Sequence, residues 1–187
     1  MFQAERQAKR ASDDKRRERE EQRQADNTKA SEAAAFEALS LARHLEAYAK
    51  DCADVVAEPT TSSGEDWTHA RVTPTLKPYQ AVNWSRLGAV ATAQALDLAE
   101  RHKLRLGWII GDALEQQGDL KKKTGIYGAG AARLGLDAWE TAVKLRQGAN
   151  LPAFDFPDDG WNFVETLRYR ADQADRDDAA RAAEPPL

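Results

Sequence analysis

The chain has 187 residues, a net charge of −4 and a single cysteine, Cys52. One cysteine excludes a disulfide framework and fits a reducing compartment. The absence of an apolar run of about 18 residues excludes a transmembrane helix, and no apolar segment follows the first basic residues, which excludes a signal peptide. These features indicate a soluble cytoplasmic protein with one domain and extensions.

The first helix is expected to have two halves of opposite character. Residues 1–29 form a charged helical extension in which opposite charges lie four positions apart, as for Asp13 and Arg17, an arrangement that stabilises an exposed helix. Asn27 marks a candidate local break. Residues 30–57 carry an apolar seam with alternating spacings of four and three, which is typical of a helix that packs along one stripe. The seam consists of Ala34, Ala38, Leu41, Leu45, Tyr48, Cys52 and Val55.

Residues 58–82 are predicted to form a linker loop. Pro59 and the polar residues after it stop the first helix, because proline lacks a backbone N–H and clashes with the preceding turn. A loop of this length is uncommon in a compact domain. It is therefore either mobile or pinned over the core by its larger side chains, which are Trp67, Val72, Leu76 and Tyr79.

Residues 83–174 are predicted to form the helical core and residues 175–187 a disordered acidic tail. Amphipathic spacing without a convincing strand predicts an all-α protein, a small helical bundle from which the long, partly charged N-terminal helix projects. The basic stretch at 101–105 is read as the basic end of a helix or a connector, and the stretch at 121–125 as a solvated turn. The predicted helices start near Asn83 or Ser85, at 106, near Tyr127 or Ala129, and near Trp161, and they end near 100, 118, 146 and 174 respectively.

The sequence contains no recognisable catalytic, cofactor-binding or metal-binding pattern. Asp155, Asp158 and Asp159 fail the spacing of a calcium loop and suit helix capping. The glycines at 125, 128 and 130 are not followed by the Lys-Ser/Thr of a phosphate-binding loop. His44, His69 and His102 have no second and third ligand at zinc spacing. We therefore expect a protein that is not an enzyme.

The leading functional hypothesis is protein–protein contact. The N-terminal helix is the predicted site of a protein partner or of self-association, although packing of its seam on the protein's own core is favoured. Five tryptophans are many for a small helical core. Most should be buried, and any left at the surface would mark a docking site. The predicted partner-binding residues are Leu41, Leu45, Tyr48 and Cys52.

An alternative hypothesis is association with nucleic acid. Residues 60–135 carry a net charge of +3, whereas residues 31–59 and 136–187 carry −4 and −5. Clustered cations neutralise phosphates without reading a base sequence. The candidate residues are Arg101, Lys103, Arg105, Lys121, Lys122 and Lys123.

Several residue strings resemble a loose group of small uncharacterised helical proteins of bacterial and prophage genomes. The resemblance covers roughly residues 40–165 and does not include the charged N-terminal helix. It implies an accessory or mobile-element protein, but no mechanism and no functional residue. The strings are 44–49 with Cys52 and Ala53, Asn83 with Trp84, and 133–139 with Leu145 and Arg146.

Overall fold

The computed structural model describes residues 2–57, 72–79, 82–116, 118–156 and 161–183, with side chains from residue 13 onward. These ranges contain four helices and no strand, which confirms the predicted all-α class. Within them, no helix is both long enough and apolar enough to cross a membrane. The helices are α1 (Phe2–Ala57), α2 (Ala89–Glu115), α3 (Leu120–Gly148) and α4 (Phe163–Ala183).

The bundle is organised around α3, which packs against each of the other three helices. Helix α1 also packs against α4, whereas α2 is attached chiefly through α3. The core contains fully buried leucines from all four helices, and burial of such side chains is the main stabilising contribution to a bundle of this kind. The leucines are Leu41, Leu45, Leu98, Leu134 and Leu167.

Helix α1 has the two halves that its sequence predicts. The side chains of residues 13–32 are all exposed, and burial begins at Glu37 and Ala38. At a rise of about 1.5 Å per residue, residues 2–32 extend for about 45 Å. The predicted break at Asn27 is wrong, because α1 is continuous there and the Thr28 hydroxyl donates to the Gln24 carbonyl over 2.9 Å.

Helix α2 replaces two predicted helices. Residues 101–105 continue the helix instead of connecting two, since all of them are compatible with helical backbone and His102 is buried within the bundle. The predicted start at Asn83 or Ser85 is also wrong. That segment forms a turn in which Arg86 N–H donates to the Asn83 carbonyl over 3.0 Å, and the helix begins at Ala89.

Helix α3 begins earlier than its glycine-rich sequence predicts. The Asp119 side chain accepts a hydrogen bond from Lys122 N–H over 2.9 Å, and this N-cap starts the helix at the lysines expected to form a turn. Glycine normally weakens a helix, but Gly130 permits close packing. A Cβ atom at Gly130 would lie 2.5 Å from Ile109 Cδ1 of α2.

Helix α4 begins at Phe163 and extends to Ala183, beyond the predicted end at 174. Its N-terminus is capped by Asn162, whose side-chain oxygen accepts from Val164 N–H over 3.1 Å. Of the three aspartates expected to cap this helix, Asp158 and Asp159 lie outside the described residues, and the observed cap is Asn162 instead of Asp155. Residues 175–183, expected to be disordered, are helical, and Arg133 of α3 holds the helix through Asp175 and Asp178, each 2.6 Å away.

Part of the predicted linker is pinned to the bundle. Three side-chain hydroxyls fix residues 72–79 to α1, α3 and α2 in turn, and Leu76 and Tyr79 pack on the core while Val72 is exposed. Trp67, the fourth expected anchor, lies with residues 58–71 outside the described part of the chain. The hydroxyl contacts are Tyr48 to the Pro74 carbonyl, Thr73 to the Tyr127 carbonyl and Tyr79 to the Ala95 carbonyl, at 3.0, 3.0 and 3.1 Å.

Candidate interaction surface

The four side chains predicted to bind a partner are inside the bundle. Leu41, Leu45, Tyr48 and Cys52 are exposed by 1%, 0%, 5% and 0% respectively. Burial also raises the pKa of the Cys52 thiol to about 12, so the cysteine stays protonated and unreactive. The seam packs on the protein's own core, and these residues have no surface to offer a second chain.

Tight packing of α1 on α3 explains why the seam is closed. A Cβ atom at Gly135 would lie 2.9 Å from Cys52 Cβ and 3.0 Å from Leu167 Cδ1. The absence of a side chain at this position lets α1, α3 and α4 meet at one level. A partner could therefore reach the seam only by displacing α3.

The six candidate nucleic-acid residues lie in two separate groups. Arg101, Lys103 and Arg105 lie along α2, and Arg105 forms an ion pair with Asp137 of α3. Lys121, Lys122 and Lys123 lie in the first turn of α3, where Lys122 Nζ is 3.5 Å from Asp119. Because 14 helical positions separate 123 from 137, the two groups are about 21 Å apart along α3.

The surface of α2 between these groups is apolar. Leu104, Trp108 and Leu114 are 59%, 71% and 61% exposed, and Ile110 is 37% exposed. Nothing lies within 4 Å of a Cβ atom placed at Gly107 or Gly111. We call this surface the outer face of α2 and define it by Leu104, Gly107, Trp108, Ile110, Gly111 and Leu114.

Trp108 is the tryptophan that meets the expectation of an exposed docking residue. Of the other tryptophans in the described part of the chain, Trp139 is buried, and Trp84 and Trp161 are partly buried against the core. Exposing so large an apolar side chain is unfavourable, and tryptophan is enriched where proteins bind one another. The prediction that a tryptophan left at the surface would mark a docking site therefore applies to Trp108 on α2.

The outer face was not predicted, because the side of α2 that faces the bundle is set by its packing on α3. Ile109 and Ala113 face the bundle, whereas Ile110 and Leu114 point away from it. The available signal was a second apolar stripe at 104, 107, 111 and 114, with spacings of three and four. A helix that is apolar on two sides packs on two sides or leaves one exposed.

The remaining polar features of the described residues are the candidate metal ligands and one cavity beside His44. No group of three or more His, Cys, Asp or Glu side chains there could hold a metal ion. A surface cavity of about 460 Å³ lies between α1 and the residues Lys77, Pro78, Tyr79 and Val82, but its His44 already contacts the Lys77 carbonyl at 3.1 Å. Predicted His69 lies outside the described residues.

Comparisons with protein-family models, with curated proteins and with solved structures give no significant match for this chain.

Proposed function

We propose that this protein is a non-catalytic interaction protein that acts by protein–protein contact. The observation that carries the proposal is the outer face of α2, where four large apolar side chains and two open glycines form one continuous surface. Exposed apolar patches of this kind mark interaction sites on soluble proteins. The single buried cysteine fits action in the reducing cytoplasm.

The projecting half of α1 adds a second element suited to contact. The side chains of residues 13–32 are exposed and pack against no other helix. This segment therefore extends away from the bundle and offers charged groups instead of an apolar surface. The opposite charges are arranged within the helix, as in the pairs Arg16–Glu20 and Arg17–Glu21 at 2.9 and 3.0 Å. Exposed pairs of this kind give the helix only weak support, which salt screens.

Proximity labelling in cells that naturally make the protein tests the proposal. The full chain is compared with the variant L104Q/W108Q/L114Q and with Tyr169→Gln, a control that removes an exposed aromatic side chain from α4. We expect the parent and the control to label the same set of proteins, which can include further copies of this chain. The triple variant should no longer label that set. Identical labelling by all three would contradict contact through α2.

A further inference from the structure

We propose that the outer face of α2 binds the outer face of α2 in a second copy, in an antiparallel pair with a twofold axis at the level of Ile109. The inference rests on the proposed function and names the partner at that surface. A twofold interface requires a surface that is complementary to itself. Three independent features of the outer face meet this requirement.

The first feature is the spacing of the stripe. Leu104, Gly107, Gly111 and Leu114 are symmetric about position 109, since the leucines are five positions from it and the glycines two. In an antiparallel pair, each Leu104 lies opposite Leu114 of the other copy and each Gly107 opposite Gly111. Leucine therefore meets leucine at both ends of the contact, and glycine meets glycine at its centre.

The second feature is the room at the centre. Gly107 and Gly111 have no neighbour within 4 Å of a Cβ position, unlike Gly130 and Gly135, which contact other helices of the same chain. Two small residues four positions apart let two helix backbones approach closely. Packing inside the chain does not require glycine at 107 or 111, whereas close approach of a second helix does.

The third feature is the charge beside the stripe. Arg101 and Glu115 lie on the same side of it as Trp108, seven positions before and after that residue. Arg101 and Glu115 are both exposed and have no ion pair among those found within the described residues. Antiparallel pairing brings Arg101 of each copy beside Glu115 of the other and the two Trp108 rings beside one another. In a parallel pair Arg101 and Glu115 of different copies would instead lie 14 positions, about 21 Å, apart along the axis and could not pair.

The size of the contact indicates a reversible dimer. Only the second half of α2 takes part, and an interface between two such helix segments lies at the low end of specific interfaces. We therefore expect association in the micromolar range. Trp108 should act as the main anchor, since large aromatic side chains near the centre of an interface contribute most of its binding energy.

Cysteine cross-linking tests the orientation. The variants Leu104→Cys and Leu114→Cys are oxidised separately and as a mixture. Native Cys52 does not interfere, because it is completely buried. Like positions lie about 15 Å apart along the axis of an antiparallel pair, too far for a disulfide. We expect cross-linked dimers only in the mixture, and each dimer should contain one copy of Leu104→Cys and one copy of Leu114→Cys. Cross-linking of each variant alone, or none in the mixture, would overturn the proposal.

A second variant tests the close approach without weakening the fold. G107Q/G111Q adds side chains where the chain leaves open space, and it raises helix propensity, so its thermal stability as a monomer should be equal or higher. We expect its dimerisation to weaken by at least about tenfold, whereas Gly148→Gln at the end of α3, also in open space, should have no effect. Unchanged dimerisation of G107Q/G111Q would also overturn the proposal.

These results separate the inference from the proposed function. If other proteins are labelled through α2 but the mixture does not cross-link, the proposed function stands and the second copy is not the partner. If neither labelling through α2 nor cross-linking is seen, both the proposed function and the dimer are wrong.

Discussion

His102 lies inside the bundle as a neutral side chain. It is 3% exposed, its ring is 5.2 Å from that of Tyr48, and neither of its nitrogens makes a hydrogen bond of normal geometry in the part of the chain that the structure describes, although the Leu134 backbone lies close by. Burial lowers the pKa of His102 to about 4, although Asp137 partly opposes this shift. Protonation of the imidazole is therefore far more favourable in the unfolded chain.

This lowered pKa predicts a loss of stability in mild acid. Between the unfolded value near 6.5 and the folded value of about 4, the unfolded chain binds the proton and the folded chain does not, so the free energy of unfolding falls as the pH falls. We expect His102 to contribute about 2–3 kcal/mol to the loss between pH 7.5 and 4.5. Urea unfolding of the parent and of His102→Phe at both pH values measures this contribution as the difference in pH dependence between the two proteins. Equal pH dependence of the two proteins would show that His102 is not buried as a neutral group.

Glu46 and Arg146 form a bidentate ion pair between α1 and α3. The two nitrogen–oxygen distances are 2.5 and 3.0 Å, and the side chains are 4% and 12% exposed. Glu46→Ala leaves the partly buried Arg146 guanidinium without its carboxylate, and we expect a loss of about 1.5–3 kcal/mol in urea unfolding. E46L/R146M removes both charges and should recover most of it. A double variant as unstable as Glu46→Ala would show that the loss comes from packing instead of the uncompensated charge.

At the scale of elements, the features of the helices that depend only on local sequence pattern were predicted correctly. The seam from Leu41 to Val55 was found because its spacing of three and four is visible without any other helix. The continuity of α2 and the extension of α4 to Ala183 were missed, since they depend on contacts between distant residues, such as Arg105 with Asp137 and Arg133 with Asp175. The outer face of α2 was missed because side-chain orientation follows from which side α3 occupies.

The first turn of α3 tests the nucleic-acid alternative. Its three lysines are separated from Arg101 and Lys103 by the apolar outer face of α2, so they do not form one cationic surface. We expect weak or no binding of duplex or single-stranded DNA by the parent, and no change in K121Q/K122Q/K123Q. Binding assays at low and moderate salt measure this. Sub-micromolar binding that is lost in the triple variant, with a salt slope flattened by about 2–3 units, would favour the nucleic-acid hypothesis.

At the scale of the whole molecule, pairing through α2 would combine two bundles and two projecting segments in one particle. Helix α3 carries the contacts that hold each bundle together, and the projecting half of α1 is free of them. The outer face of α2 lies on the side of that helix turned away from the core, so the proposed pairing would not use buried side chains. Changes to the outer face should alter assembly while the fold of the single chain stays intact.

The most direct test of the account is the mass of the full chain in solution. Sedimentation equilibrium from low to high micromolar concentration compares the parent with L104Q/W108Q/L114Q and with Tyr169→Gln. We predict that the parent and Tyr169→Gln shift reversibly from monomer to dimer as the concentration rises, and that the triple variant stays monomeric with an unchanged helical circular dichroism spectrum. A parent that remains monomeric throughout, or a triple variant that dimerises like the parent, would contradict the account.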